Sequence, residues 1–161
     1  MASLSDLYFI NSSDIVNATY DSDGLYHSFD DKPAVTTATE RIWFDHGLIH
    51  RNGQPAREGS NGFSEWYQHG RLHRDDDQPA VISSYFKRWY QKGRLHREND
   101  QPAEDYGNLQ RWYRRGVLHR GTFTFDKINP AIVDTTMDEK EYYINGKKVD
   151  HMYGLEFKES S

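Results

Sequence analysis

The chain has 161 residues, a net charge of −5 and no cysteine, which excludes disulfides, thiolate metal sites and a cysteine nucleophile. Hydrophobic residues make up only 35 % of it and mean hydropathy is −0.96, values that would suit disorder were it not for 11 Tyr, 8 Phe and 4 Trp. That much ring surface in a polar chain predicts a thin fold with a narrow aromatic core, of one domain's length.

Residues 7–10 are the longest apolar run near the N-terminus. They are too short for a signal-peptide core or a membrane span, so a cytoplasmic location is expected. They read as a lone opening strand within an N-terminal cap, residues 1–19.

From residue 20 a period takes over. Trp43, Trp66, Trp89 and Trp112 stand 23 residues apart, with Tyr20 extending the series backwards. Gly24, Gly47, Gly70, Gly93 and Gly116 keep the same step, as do His27, His50, His73, His96 and His119. The best-kept unit, W-Y-x-x-G-x-L-H-R-x-x-x-x-P-A, runs from Trp66 to Ala80 and from Trp89 to Ala103. Such self-similarity defines five tandem repeats over residues 20–131.

Turn chemistry says what each repeat is. His69-Gly70, Lys92-Gly93, Arg115-Gly116 and Asn145-Gly146 each sit between short aromatic or branched segments. An X-Gly pair there supplies the positive φ angles of a two-residue type I′ hairpin turn. Counting outward puts Gln68 opposite Arg71, Tyr67 opposite Leu72 and Trp66 opposite His73, with Glu65 facing Arg74 beyond. A second turn closes each repeat, at Ser60-Asn61-Gly62, Ser83-Ser84 and Tyr106-Gly107-Asn108. Two turns per repeat predict an all-β fold, an elongated antiparallel meander of about twelve strands in a single domain. The Asp-rich stretch ahead of each Pro-Ala is expected to leave the return strand, by a bulge or a break, because proline cannot donate to the ladder. Residues 121–129 are inserted into the fifth unit, and residues 132–161 form a degenerate repeat and C-terminal cap, as repeat arrays require.

With its aromatic-x-x-Gly turn and His-bearing return strand, the 23-residue unit resembles MORN repeats over residues 20–150. It looks most like the variant arrays with L-H-R and P-A elements associated with large DNA viruses, phages and bacteria. The resemblance implies a repeat sheet that serves as a protein-binding scaffold, in some members a lipid-binding one and in some bacterial relatives an antitoxin-like inhibitor. For a viral member the location implied is the host cytoplasm. One departure stands out: the glycine that usually flanks the first-strand aromatic is replaced, as in Glu65-Trp66-Tyr67.

Candidate sites follow from the ladders and the charge. The first role of Trp43, His50, Trp66, His73, Trp89, His96, Trp112 and His119 is packing and local hydrogen bonding within a thin sheet, and the Trp/His face they form is also the leading candidate for contact with a protein partner. Equivalent histidines two strands apart would lie ~9.5 Å from each other. Zinc needs ligand nitrogens at ~2.0–2.1 Å, so no metal is expected on the ladder. The acidic turns, Asp75-Asp76-Asp77 and Glu98-Asn99-Asp100, lack the spacing of a calcium loop and read as solvated turns.

Charge is segregated: −6 over residues 1–40, −1 over 41–85, +5 over 86–120 and −3 thereafter. In the basic stretch Arg88, Arg94, Arg97, Arg111, Arg114, Arg115 and Arg120 alternate with Trp89, Tyr90, Trp112 and Tyr113. Charge on a sheet exterior ordinarily serves solubility; beyond that, the pattern suits an anionic partner, either an acidic protein or, as a second reading, nucleic acid or anionic lipid. No G-x-S-x-G, phosphate loop or H-E-x-x-H is present, so no catalytic residue, cofactor or enzymatic activity is expected. Open sheet edges leave self-association available.

Overall fold

The computed structural model describes residues 10–120 and 129–149. The expected opening strand at 7–10, save its last residue, the insertion at 121–129, save Asn129, and the end of the C-terminal cap lie outside the described residues.

After a 3-10 turn at Ser12–Asp14 the fold is all β. Its strands are β1 (Ile15–Ala18), β2 (Val35–Thr37), β3 (Glu40–Ile42), β4 (Phe44–Asp45), β5 (Leu48–Ile49), β6 (Arg57–Gly59), β7 (Ser64–Glu65), β8 (Tyr67–Gln68), β9 (Arg71–Leu72) and β10 (Val81–Ile82). There follow β11 (Lys87–Arg88), β12 (Tyr90–Gln91), β13 (Arg94–Leu95), β14 (Glu104–Asp105), β15 (Leu109–Arg111), β16 (Tyr113–Arg114), β17 (Val117–Leu118), β18 (Ile132–Asp134), β19 (Glu139–Ile144) and β20 (Lys147–Val149). Twelve of them form one antiparallel meander, in the order β1-β2-β3-β6-β7-β10-β11-β14-β15-β18-β19-β20.

That count meets the sequence expectation, but the strands are distributed differently. Strands β4–β5, β8–β9, β12–β13 and β16–β17 are separate two-stranded hairpins outside the meander. Tryptophan is where the chain changes partner. The Trp89 carbonyl accepts the His96 N–H at 3.0 Å, closing the hairpin, while its own N–H donates to the Ala103 carbonyl at 2.8 Å. Trp43 with His50 and Ala56, and Trp112 with His119 and Ala131, repeat the arrangement. The acidic stretch therefore breaks the return strand outright and carries the chain from hairpin to meander. In the degenerate unit Tyr142 replaces tryptophan, and β19 runs unbroken from the meander into the last hairpin.

Hairpin register is as the turns predict. Tyr90 opposes Leu95 and Gln91 opposes Arg94; Phe44 opposes Ile49; Tyr113 opposes Leu118. Both turn residues have positive φ throughout, for example Lys92 at 51° with Gly93 at 79° and Asn145 at 49° with Gly146 at 78°. Two adjacent left-handed residues are the type I′ geometry that follows strand twist.

The chain divides into two compact units, Met1–Arg71 and Leu72–Ser161. In the first, cross-strand neighbours run Val35, Ile42, Arg57, Glu65. Arg57 holds Glu40 at 2.7 Å and Glu65 at 3.3 Å, and the Tyr67 hydroxyl also donates to Glu65. Glu65 thus takes Arg57, across the sheet, as its ion-pair partner. Burial raises the Glu65 pKa above the usual carboxylate range, with Arg57 opposing the shift. In the second unit the row is Val81, Arg88, Glu104, Arg111, Ile132, Glu141. Buried Glu104 receives Arg88 at 2.9 Å and Arg111 at 3.4 Å.

The core is as thin as the composition implies. Among the described residues Val35, Ile42, Phe44 and Tyr67 are the largest fully buried side chains, each worth ~1.5–3 kcal/mol when removed from water. All five alanines of the Pro-Ala elements, Ala34, Ala56, Ala80, Ala103 and Ala131, are 0 % exposed. The carbonyls of Ala34, Ala56, Ala103 and Ala131 accept the N–H of Thr19, Trp43, Trp89 and Trp112, and with the alanines wholly buried a larger side chain there would have to displace packed interior.

Candidate functional site

The repeating residues meet at the junctions between successive repeats, and three junctions share one construction. The indole N–H of Trp43, Trp89 and Trp112 donates to the backbone carbonyl of Asp31, Asp77 and Asp100, at 2.9, 2.9 and 3.0 Å. Over each ring lies the guanidinium of Arg51, Arg97 or Arg120, at 3.8–3.9 Å from the ring centre. The same guanidinium grips the carboxylate of the same aspartate through two nitrogens, at 2.8–3.0 Å. It also donates to the proline carbonyl of Pro55, Pro102 or Pro130. A bidentate ion pair and a cation–π contact thereby share one arginine.

Local backbone chemistry aims the aspartates. Asp30-Asp31, Asp76-Asp77 and Asn99-Asp100 all have φ between 52° and 58°, a conformation that short polar side chains adopt more readily than others. The acidic turns are thus exposed, as expected, and also clasped by the arginine 20 residues on. Arg51 holds the Asp31 carboxyl below its usual pKa, and Asp31 raises that of Arg51.

The histidine ladder lies on the other side of each junction. Nδ1 of His27, His50, His73, His96 and His119 accepts the N–H of His46, His69, Lys92, Arg115 and Asn145, at 3.2–3.4 Å. Nε2 contacts Asn52 (3.1 Å), Asp75 (3.0 Å) or Glu98 (2.8 Å) in the middle three. An accepting Nδ1 places the ring proton on Nε2, so the geometry selects the neutral ε tautomer. Beside it the N–H of Gly47, Gly70, Gly93, Gly116 and Gly146 donates to the return strand of the preceding hairpin, at 2.8–2.9 Å. Burial, then the Arg114 charge, lowers the pKa of His119.

These contacts locate the sequence-predicted residues. Trp43, Trp89 and Trp112 are 4–7 % exposed and His96 is 6 % exposed. Trp66, His50, His73 and His119 are half-buried. Among the arginines, Arg97 and Arg120 belong to junctions, and Arg88 and Arg111 share Glu104. Arg88 also meets the Tyr106 hydroxyl and lies 4.4 Å over the Phe86 ring. Arg94, Arg114 and Arg115 are exposed and form no ion pair among the described residues. With Lys92 and Lys147, also exposed, they give the three hairpins of the second unit a cationic outer edge.

Sequence reasoning missed the Asp–Arg clasp, for which the signal was a constant separation of 20 residues: Asp31 and Arg51, Asp77 and Arg97, Asp100 and Arg120. Beside the junctions lie two shallow clefts, of about 260 and 240 Å³, lined by the acidic turns, His96 and the faces of Trp89 or Trp112. No family model, curated protein or solved structure matches the chain.

Proposed function

We propose that the chain is a non-enzymatic, MORN-like repeat scaffold or inhibitor that binds an acidic surface of another protein through the outer edge of its hairpins. One observation carries this reading. Within the hairpins, residues that repeat are consumed in the junctions, whereas the turn and edge positions that vary from repeat to repeat stand exposed. In the second unit the varying positions are Gln91 and Arg114; Lys92, Arg115 and Asn145; and Arg94, Val117 and Lys147. A constant frame with a variable, charged rim is how repeat proteins present a binding surface.

The second reading is nucleic acid or anionic lipid, and its nucleic-acid form needs rings open to stack on bases as well as cations. Trp89 and Trp112 are buried beneath Arg97 and Arg120, which favours a protein partner. Affinity capture from a host lysate, with and without nuclease and at two salt concentrations, tests the proposal. A dominant protein that survives nuclease and is lost when Arg94, Arg114 and Arg115 are all changed to Glu supports it. Recovery of nucleic acid, or capture indifferent to the triple substitution, overturns it.

A further inference from the structure

We infer that Asp21, His27 and His46 form a binding site for a divalent transition-metal ion, zinc being the natural probe, which clips the turn closed by the Tyr20–Tyr26 bridge to the β4–β5 hairpin. Each residue offers one ligand atom, and the three atoms lie within 4.8 Å of one another; the ion takes the lone pair of His27 at the expense of the 3.2 Å bond that Nδ1 accepts from the His46 N–H. The Asp21 Oδ2 to His46 Nδ1 separation is 2.6 Å, and the two imidazole centroids are 4.4 Å apart. Around an ion bound at ~2.0–2.1 Å, tetrahedral ligand atoms stand ~3.3 Å apart, which small side-chain rotations within the 4.8 Å cluster can reach. Two imidazoles and a carboxylate are a donor set for zinc, nickel, cobalt or copper rather than calcium or magnesium.

The site differs from the ladder on which sharing of one ion was ruled out. It joins a ladder histidine to a turn histidine 19 residues on, and adjacent hairpins bring those two together. A second such pair exists, His50 and His69, stacked with centroids 4.5 Å apart. It has no carboxylate counterpart, because the position of Asp21 is occupied by Phe44 in the next repeat and by Tyr67, Tyr90 and Tyr113 thereafter. Asp21 is the one break in an otherwise aromatic column.

The Asp21 side chain is already oriented for the task. Its Oδ1 accepts the N–H groups of Asp23 and Leu25, both at 2.9 Å, which fixes the carboxylate and leaves Oδ2 directed at His46. The side chain is only 7 % exposed, whereas His46 is 63 % exposed, so an ion can enter from the solvent side. Asp45 lies alongside, 3.6 Å from His27 and 3.8 Å from His46, and adds negative charge to the approach.

Calorimetric titration of the full chain with Zn²⁺ tests the inference, alongside Asp21→Asn, His46→Asn and His69→Asn. Asparagine at 21 keeps the Oδ1 cap, and asparagine at 46 or 69 tolerates the turn's positive φ, so all three variants retain the hairpins. The expected result is one Zn²⁺ per chain, with affinity reduced by Asp21→Asn and by His46→Asn and unchanged by His69→Asn. Loss of a ligand costs at least what loss of an outer partner does, about 10–100-fold. Zn²⁺ should also raise the melting temperature of the parent chain and of His69→Asn, but not of the other two. No saturable binding, or binding that Asp21→Asn and His46→Asn leave intact, would show that Asp21 and His46 share only a hydrogen bond.

Discussion

At the three junctions built on Trp43, Trp89 and Trp112 the repeated letters have definite mechanical jobs. Tryptophan supplies a ring for arginine and an indole N–H for the preceding acidic turn; histidine supplies an unprotonated Nδ1 for the next turn. The two parts of the tryptophan's role separate in Trp89→Phe and Trp89→Ala. The first keeps the ring and leaves the Asp77 carbonyl without the indole donor, at a cost of about 1 kcal/mol. The second also removes the buried ring, at about 3–5 kcal/mol; urea unfolding of the two variants measures the difference. The histidines make a prediction about pH. His119 has its folded pKa below the ~6.5 of an unfolded chain, so below that value the unfolded state binds the extra proton. Stability from the neutral ring is therefore complete above pH ~6.5 and is lost as pH falls. The melting temperature should decline on acidification through that range, and His119→Asn should flatten the decline. A profile with unchanged slope in the variant would mean the ring gives no such contribution.

At the scale of the element, the hairpins were legible because their determinants are local. X-Gly fixes a type I′ turn, the turn fixes register, and register places Tyr90 opposite Leu95. Two substitutions weigh this. Gly116 has φ +85° and a Cβ there would sit 3.7 Å from Arg94, so Gly116→Ala is opposed by backbone conformation, not by space, and should cost about 1 kcal/mol or more. Arg115, at φ 54°, is an ordinary side chain in a left-handed position; Arg115→Asn should stabilise the hairpin by a few tenths of a kcal/mol. Thermal unfolding of the pair should move in opposite directions. The change of partner at tryptophan was not legible. It depends on the Ala103 carbonyl being offered to Trp89 by a chain that has already left the hairpin, and no local pattern states where a strand after a loop will pair. Pro-Ala did mark the place: a proline that donates nothing, then a small residue that is wholly buried.

For the molecule as a whole, the sequence separated basic and acidic regions correctly but could not sort its arginines. Arg94 and Arg97 look alike in the chain. In the fold the first is exposed, and the second lies on Trp89 and clasps Asp77. The ladders suggested an interface because regularity and exposure cannot be told apart in a string of letters; burial can be seen only when the neighbouring repeat is in place. The division of labour that results, repeated residues for the frame and varying residues for the rim, is the central claim. It is tested most directly by thermal unfolding of two double variants with the same change of charge, Arg97→Gln/Arg120→Gln and Arg94→Gln/Arg114→Gln. Each frame arginine loses a cation–π contact of ~0.5–1 kcal/mol and an ion pair of ~0.2–1 kcal/mol. The account predicts that the first variant melts about 4 °C or more below the parent chain and that the second melts with it. Equal shifts in the two would contradict it.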